Sequence, residues 1–233
     1  IDKITCPSIE LKNKITKLKI LDEIKIFYLP DAIINIRKYR KQINTKNEFE
    51  NLFSDKKTIF LAAGRLTNQK NFEYLIEEFS KFYFENKNSR LVILGEGEEM
   101  KKLKNLVNEK KLNSVIYLLG KVDNVLRYMK DSDAFILSSK WEEMGFVIIE
   151  AALSNLFIIS SNCPNGPSEF LNFGKAGILF ENNKKNALYQ SLVKYNQLDE
   201  KIKYKNKIQS KKNSVNFTMF RHFNILNEIL SQK

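Results

Sequence analysis

The chain has 233 residues, 43% of them hydrophobic and 17 of them Phe, which is enough for a packed core in one large domain or one domain with attached segments. Its 39 Lys and Arg against 27 Asp and Glu give a formal charge of +12, but most of the lysine is scattered among Asn and Ile, so no nucleic-acid partner is expected. No run approaches the roughly 20 apolar residues a spanning helix needs, and Cys6 and Cys163 fit no metal-ligand spacing.

The opening IDKITCPS has no charged head leading into an apolar stretch, so no signal peptide is expected. It also lacks an initiator Met, which is the expectation for a piece of a longer polypeptide. Two reduced cysteines in a cytoplasmic protein are the simplest reading of the cysteine usage. KIFYLP (25–30) reads as a strand, followed by a helical or irregular linker.

From residue 58 onward short apolar runs alternate with amphipathic segments. TIFLAAG (58–64) is strand-like and ends in glycine, and FEYLIEEFSKFYF (72–84) then sets Phe72, Leu75, Ile76, Phe79 and Phe82 on one helical face. RLVILGEG (90–97) is the next strand, followed by Met100, Leu103, Leu106 and Val107 at helical spacing. SVIYLLG (114–120), a short helix near 124–130, AFILSS (134–139), a helix from Phe146 and FIISS (157–161) continue the alternation. The strands are continuous apolar runs, as expected when helices cover both faces of a sheet. The pattern predicts an α/β fold, a doubly wound parallel sheet of Rossmann-like type. A polar helix over about Lys184 to Lys212 and a last amphipathic helix marked by Phe217, Phe220, Phe223, Ile225, Leu226, Ile229 and Leu230 complete the chain. The basic run KIKYKNKIQSKK (201–212) is expected to be a solvated helix face, with an anionic membrane surface as the alternative contact.

In an open parallel sheet, ligands bind beyond the carboxyl ends of the strands. After the first strand comes GRLTNQKN (64–71), where Arg65 and Lys70 sit on a turn led by Gly64 just before a helix. Two cations there suit a phosphate or diphosphate. After the fourth strand comes SSKWEEMG (138–145), then the apolar helix FVIIEAAL with Glu150 inside it. Residues 146 and 150 share a face, so Glu150 is expected at the ligand edge beside the N–H groups of Phe146 and Val147. Gly145 lets a ligand approach the backbone closely. A helix start that attracts an anion, flanked by carboxylates that accept hydroxyl hydrogen bonds, describes a nucleotide-sugar site. DSD (131–133) precedes a strand and reads as a turn, and GEG (95–97) lacks the third glycine of a dinucleotide fingerprint. His222, the only histidine, is expected to be a packed or surface residue.

Taken in order, GRLTNQKN, ILGEGEE, LLGKVDNV, FILSSKWEEMGFVIIEAAL and CPNGPSEFL with GKAGILF resemble the C-terminal half of the retaining group-one glycosyltransferases, family four. Those enzymes have the GT-B fold of two facing Rossmann-like domains. The resemblance runs from about Ile24 to Asn183, and its signature is a pair of glutamates with seven residues between them, here Glu142 and Glu150. By position it implies that Arg65 and Lys70 neutralise a donor diphosphate with help from the N–H groups of Phe146 and Val147. Glu150 would bind ribose hydroxyls, Glu142 the transferred sugar, and backbone near Val122 would face the base. No metal or other cofactor is then expected, because the cations stabilise the leaving group.

Two departures qualify the resemblance. Glu143 stands where the family usually has glycine, which implies an altered donor preference. The family's N-terminal, acceptor-binding domain is almost absent: SIELKNKITK and YLPDAIIN resemble only its end and the crossover. The expected division is 1–50 for that segment, 51–212 for the nucleotide-sugar-binding domain and 213–233 for a C-terminal helix. The implied activity is retaining transfer from a UDP-hexose or UDP-N-acetylhexosamine to a glycan or glycolipid, at the cytoplasmic side of a membrane and with an N-terminal Rossmann-like domain as partner. The alternatives are a non-catalytic nucleotide-sugar-binding module or subunit and, more remotely, a GT-B epimerase.

Overall fold

A computed structural model describes residues 3–19, 25–46 and 48–232. Ile24, where the resemblance begins, lies outside them. Strand β1 (Lys3–Cys6), helix α1 (Ile9–Lys17) and strand β2 (Lys25–Tyr28) form a small unit whose two strands pair in parallel, separate from the main sheet. Ser8 starts α1 by accepting the Leu11 N–H at 3.1 Å. The linker contains helix α2 (Ile36–Gln42), capped by Asn35, and a short 3₁₀ turn (Glu50–Leu52).

The main sheet has six parallel strands: β3 (Thr58–Ala63), β4 (Ser89–Leu94), β5 (Ile116–Gly120), β6 (Ala134–Leu137), β7 (Phe157–Ser161) and β8 (Ile178–Phe180). Their spatial order is β5-β4-β3-β6-β7-β8. Helices α3 (Phe72–Glu85), α4 (Met100–Glu109), α5 (Val125–Lys130), α6 (Phe146–Leu153), α7 (Pro167–Phe170) and α8 (Ala187–Gln197) connect and flank them, and α9 (Glu200–Ser214) and α10 (Met219–Ser231) close the chain.

The continuous apolar strands reflect two cores, one on each face. Phe60 and Ala62 point to one side with Leu91 and Ile93, while Ile59, Leu61 and Ala63 point to the other with Val92 and Leu94, as the two-residue strand period requires. Phe72, Leu75, Ile76, Phe79 and Phe82 are all buried on the first side, as the helical spacing predicts. Phe60 meets Phe79, Phe82 and Tyr195 edge-on at 5.8, 5.7 and 5.4 Å between ring centroids. Such contacts add about 0.5–1.5 kcal/mol each beyond area burial.

Three expectations need correction. The polar segment is two helices, because Leu198 leaves helical geometry and the Asp199 side chain caps a new start through the Lys201 N–H at 2.7 Å. The last helix begins at Met219, after a 3₁₀ turn that buries Phe217; of the apolar residues assigned to it, Ile229 is buried whereas Phe220, Phe223 and Leu230 are exposed. A sixth strand, β8, extends the five read from the pattern. In the basic run Lys201, Lys205, Lys211 and Lys212 are exposed on α9, which packs against α6 and β7. Among the described residues no helix is long and apolar enough to cross a membrane.

Candidate functional site

The chain runs outward from β3 through β4 to β5, then returns to place β6 on the other side of β3. Beyond the carboxyl ends of β3 and β6 the connections therefore diverge and leave a crevice at this topological switch point. One wall is residues 64–71 and the other is residues 138–145.

These loops are stitched together. Ser138 Oγ donates to the Lys70 carbonyl at 2.8 Å, the Lys140 N–H to the Gln69 carbonyl at 2.8 Å, and Gln69 Nε2 to the Trp141 carbonyl at 2.9 Å. Ser161 Oγ, at the end of β7, donates to the Ser139 carbonyl at 2.7 Å, and Asn182 Nδ2 to the Lys140 carbonyl at 2.7 Å. The GEG turn buttresses the other side: a Cβ on Gly95, whose φ is +136°, would lie 1.9 Å from the Gly64 carbonyl oxygen. Only glycine fits there, so the motif serves packing.

Lys70 Nζ and Glu142 Oε1 are 2.6 Å apart, with side-chain exposures of 15% and 7%. Gly64 lies beneath the Lys70 stem, since a Cβ at residue 64 would be 3.3 Å from Lys70 Cε. Gly145 starts α6 in the left-handed region at φ +65°. The Ile148 N–H turns back to the Gly145 carbonyl at 2.9 Å, so Phe146 and Val147 supply the first N–H groups of the helix. Gly166 holds the next loop close: at φ +110°, its Cβ position is 2.8 Å from the Met144 carbonyl oxygen.

The resulting cavity, of about 550 Å³, is lined by Gly64, Arg65, Lys70, Glu142, Gly145, Phe146, Val147 and Glu150 among others. Eight of the nine residues predicted from sequence thus meet in one place. Val122 does not line it and packs at the edge of the core, while Val125, three residues on, takes a place in the wall. Glu143, expected from sequence to alter donor preference, lines the cavity too, whereas sequence reasoning missed Gln69, Trp141 and Asn165 as lining residues and Gly166 as a support. Trp141 adjoins Glu142, and a tryptophan on an otherwise polar loop is the signal that could have found it.

Burial raises the Glu150 carboxyl above the ordinary range, partly offset by the Lys38 ammonium. Glu150 and Lys38 both line a second, smaller cavity of about 90 Å³ against α2. Burial also pushes the Cys163 thiol up to about 11. Asp133 accepts the Ile59 N–H at 2.8 Å and Asp131 pairs with Arg127 at 2.8 Å, so the DSD turn serves the sheet's opposite edge. His222 Nδ1 bonds the Pro30 carbonyl at 2.7 Å and packs on Phe223, a structural role.

Cations and a helix start thus lie beside carboxylates at the switch point of a doubly wound sheet. Residues 43–219 match the family model for glycosyl transferases group 1. The chain belongs to that family. It is 35% identical over 160 residues to an uncharacterised glycosyltransferase of Methanocaldococcus jannaschii, covering 63% of this chain and 39% of the relative. It is 32% identical over 206 residues to UDP-Gal:alpha-D-GlcNAc-diphosphoundecaprenol alpha-1,3-galactosyltransferase of Escherichia coli, covering 86% and 52%. The chain thus spans about half or less of these curated relatives. Among solved structures, HepE of Anabaena in complex with UDP superposes with a TM-score of 0.83 at 16% identity, over 100% of this chain and 64% of that one. A mutant of TarM from Staphylococcus aureus, in complex with fondaparinux, alpha-GlcNAc-glycerol and UDP, gives 0.78 at 18% identity over 99% and 43%. The fold is the C-terminal Rossmann-like domain of a GT-B glycosyltransferase.

Proposed function

We propose that this chain is the donor-binding half of a retaining hexosyltransferase that uses a UDP-hexose or UDP-N-acetylhexosamine. The observation that carries the reading is the convergence of Arg65, Lys70, Glu142, Gly145 and Glu150 on one cavity at the switch point. Arg65, Lys70 and the N–H groups of Phe146 and Val147 take the diphosphate and stabilise the charge that grows on it as the glycosidic bond breaks. Glu150 accepts hydrogen bonds from the ribose and Glu142 from the transferred sugar, with Gly64 and Gly145 allowing close approach and backbone near Val122 facing the base. With this arrangement the reaction calls for no metal. The name of the Escherichia coli relative and the UDP in the HepE structure support a uridine donor.

The acceptor is a glycan or glycolipid, and an N-terminal Rossmann-like domain supplies its site, at the inner face of a membrane. Residues 1–50 are the end of that N-terminal domain and the crossover, 51–212 the donor domain and 213–233 the closing helix. Calorimetric titration with UDP, GDP and their sugar conjugates tests the donor site. Saturable UDP binding is expected, with Glu150→Ala weakening it by about 1–3 kcal/mol, the scale of a lost charged hydrogen bond. Unchanged affinity in a folded Glu150→Ala variant would sink the ribose assignment.

A further inference from the structure

The cavity wall carries three carboxylates, Glu142, Glu143 and Glu150, against two cations, Arg65 and Lys70. Two of the carboxylates are accounted for. Glu142 is buried and paired with Lys70 at 2.6 Å, and Glu150 sits half-buried on the helix. Glu143 is different. It is exposed within the cavity, on the loop between Glu142 and the helix start, and among the described residues it has no hydrogen-bond or ion-pair partner.

An unpaired carboxylate beside a diphosphate site repels phosphate, so Glu143 does not serve anion binding. The diphosphate is drawn to Arg65 and the α6 N–H groups, which leaves Glu143 facing whatever is attached on the loop side. Its two oxygens accept hydrogen bonds only, so they suit hydroxyls or an ammonium and oppose a second carboxylate. Exposure screens part of that repulsion. Apolar neighbours on the same wall, Met144, Phe146 and Val147, lower the local dielectric and focus what remains of it.

We infer that Glu143 is a donor-selecting residue: it admits neutral and amino sugars and turns away sugars that carry a carboxylate. The inference rests on the donor-binding reading above. The 233-residue chain and its Glu143→Gln and Glu143→Lys variants are titrated with UDP and with two matched pairs, UDP-glucose with UDP-glucuronate and UDP-galactose with UDP-galacturonate. Each pair differs only in oxidation at C6, so the affinity ratio within a pair cancels the shared nucleotide. Wild type is expected to bind the uronate about tenfold or more weakly, as like-charge juxtaposition demands. The ratio should shrink at least about threefold in Glu143→Gln and invert in Glu143→Lys. Circular dichroism checks that the variants fold. A wild-type ratio near one, or one unmoved by Glu143→Gln, overturns the selection while leaving UDP binding intact. Absence of binding by every ligand, UDP included, brings down the donor reading and the selection with it.

Discussion

Replacing Lys70 by Met removes the side-chain partner that holds the buried Glu142 carboxylate. Breaking a buried ion pair from one side costs about 3–5 kcal/mol, because the remaining charge stays desolvated and unpaired. Lys70 retains 15% of its side-chain exposure and Glu142 7%, so solvent relieves part of that penalty. We expect about 2–4 kcal/mol. At about 2–4 °C per kcal/mol for a domain of this size, Tm should fall by about 4–16 °C. Differential scanning calorimetry reads this directly, and a double-mutant cycle identifies its cause. Glu142→Gln placed on top of Lys70→Met removes the stranded charge and should restore most of the lost stability. A loss below about 0.5 kcal/mol would refute the reasoning, because it would make the pair equivalent to an exposed one. Failure of the second substitution to restore anything would assign the loss to the Lys70 stem packed over Gly64 instead.

Gly166→Ala should cost about 1–3 kcal/mol, since φ is +110° and the new Cβ would lie 2.8 Å from the Met144 carbonyl; it should also weaken UDP binding, and a variant melting with wild type would show that the loop yields freely. Glu150 is predicted to act on the pH dependence of stability. Its folded pKa is raised by burial, so the native state binds the proton more tightly, and stability falls as pH rises from the unfolded value of about 4.3 through the folded one. Glu150→Gln should therefore gain on wild type as pH rises from about 4 to 8; parallel curves of Tm against pH would count against it. Arg65→Ala should weaken UDP about tenfold or more and uridine far less, followed through fluorescence of Trp141, the single tryptophan, which lines the cavity. The Cys163 thiol, pushed up to about 11 and buried, should resist alkylation at pH 8 in the native protein and label on unfolding; rapid native labelling would contradict its burial.

What the sequence disclosed follows from which signals are local. The strands of the central sheet are apolar on both faces because helices cover both, and that density of Val, Ile, Leu and Phe is visible without coordinates. β8 escaped because its three residues, Ile178–Phe180, are too few to stand out from the loop around them. The break at Leu198 escaped because no Gly or Pro separates the two helices, and only Asp199, an N-cap residue inside a polar run, marked it. The candidate site was legible for another reason. In a parallel sheet every strand ends at the same edge, so the residue after each strand is a known address, and Arg65, Lys70, Glu142 and Glu150 could be placed on one rim from order alone. Order does not encode distance across the rim. That Lys70 would meet Glu142 at 2.6 Å depends on β3 and β6 being neighbours, a fact of strand order that a chain reading β3, β4, β5, β6 conceals. The same strand order leaves the Val122 side chain, which follows β5 at the far end of the sheet, outside the cavity wall, while Val125, which α5 carries back toward the switch point, lines it. The pairing also changes what the site offers an anion. Since Glu142 engages Lys70, the charge available to a diphosphate comes first from Arg65 and the α6 N–H groups, which is why Arg65→Ala is the sharper test of binding and Lys70→Met the sharper test of stability.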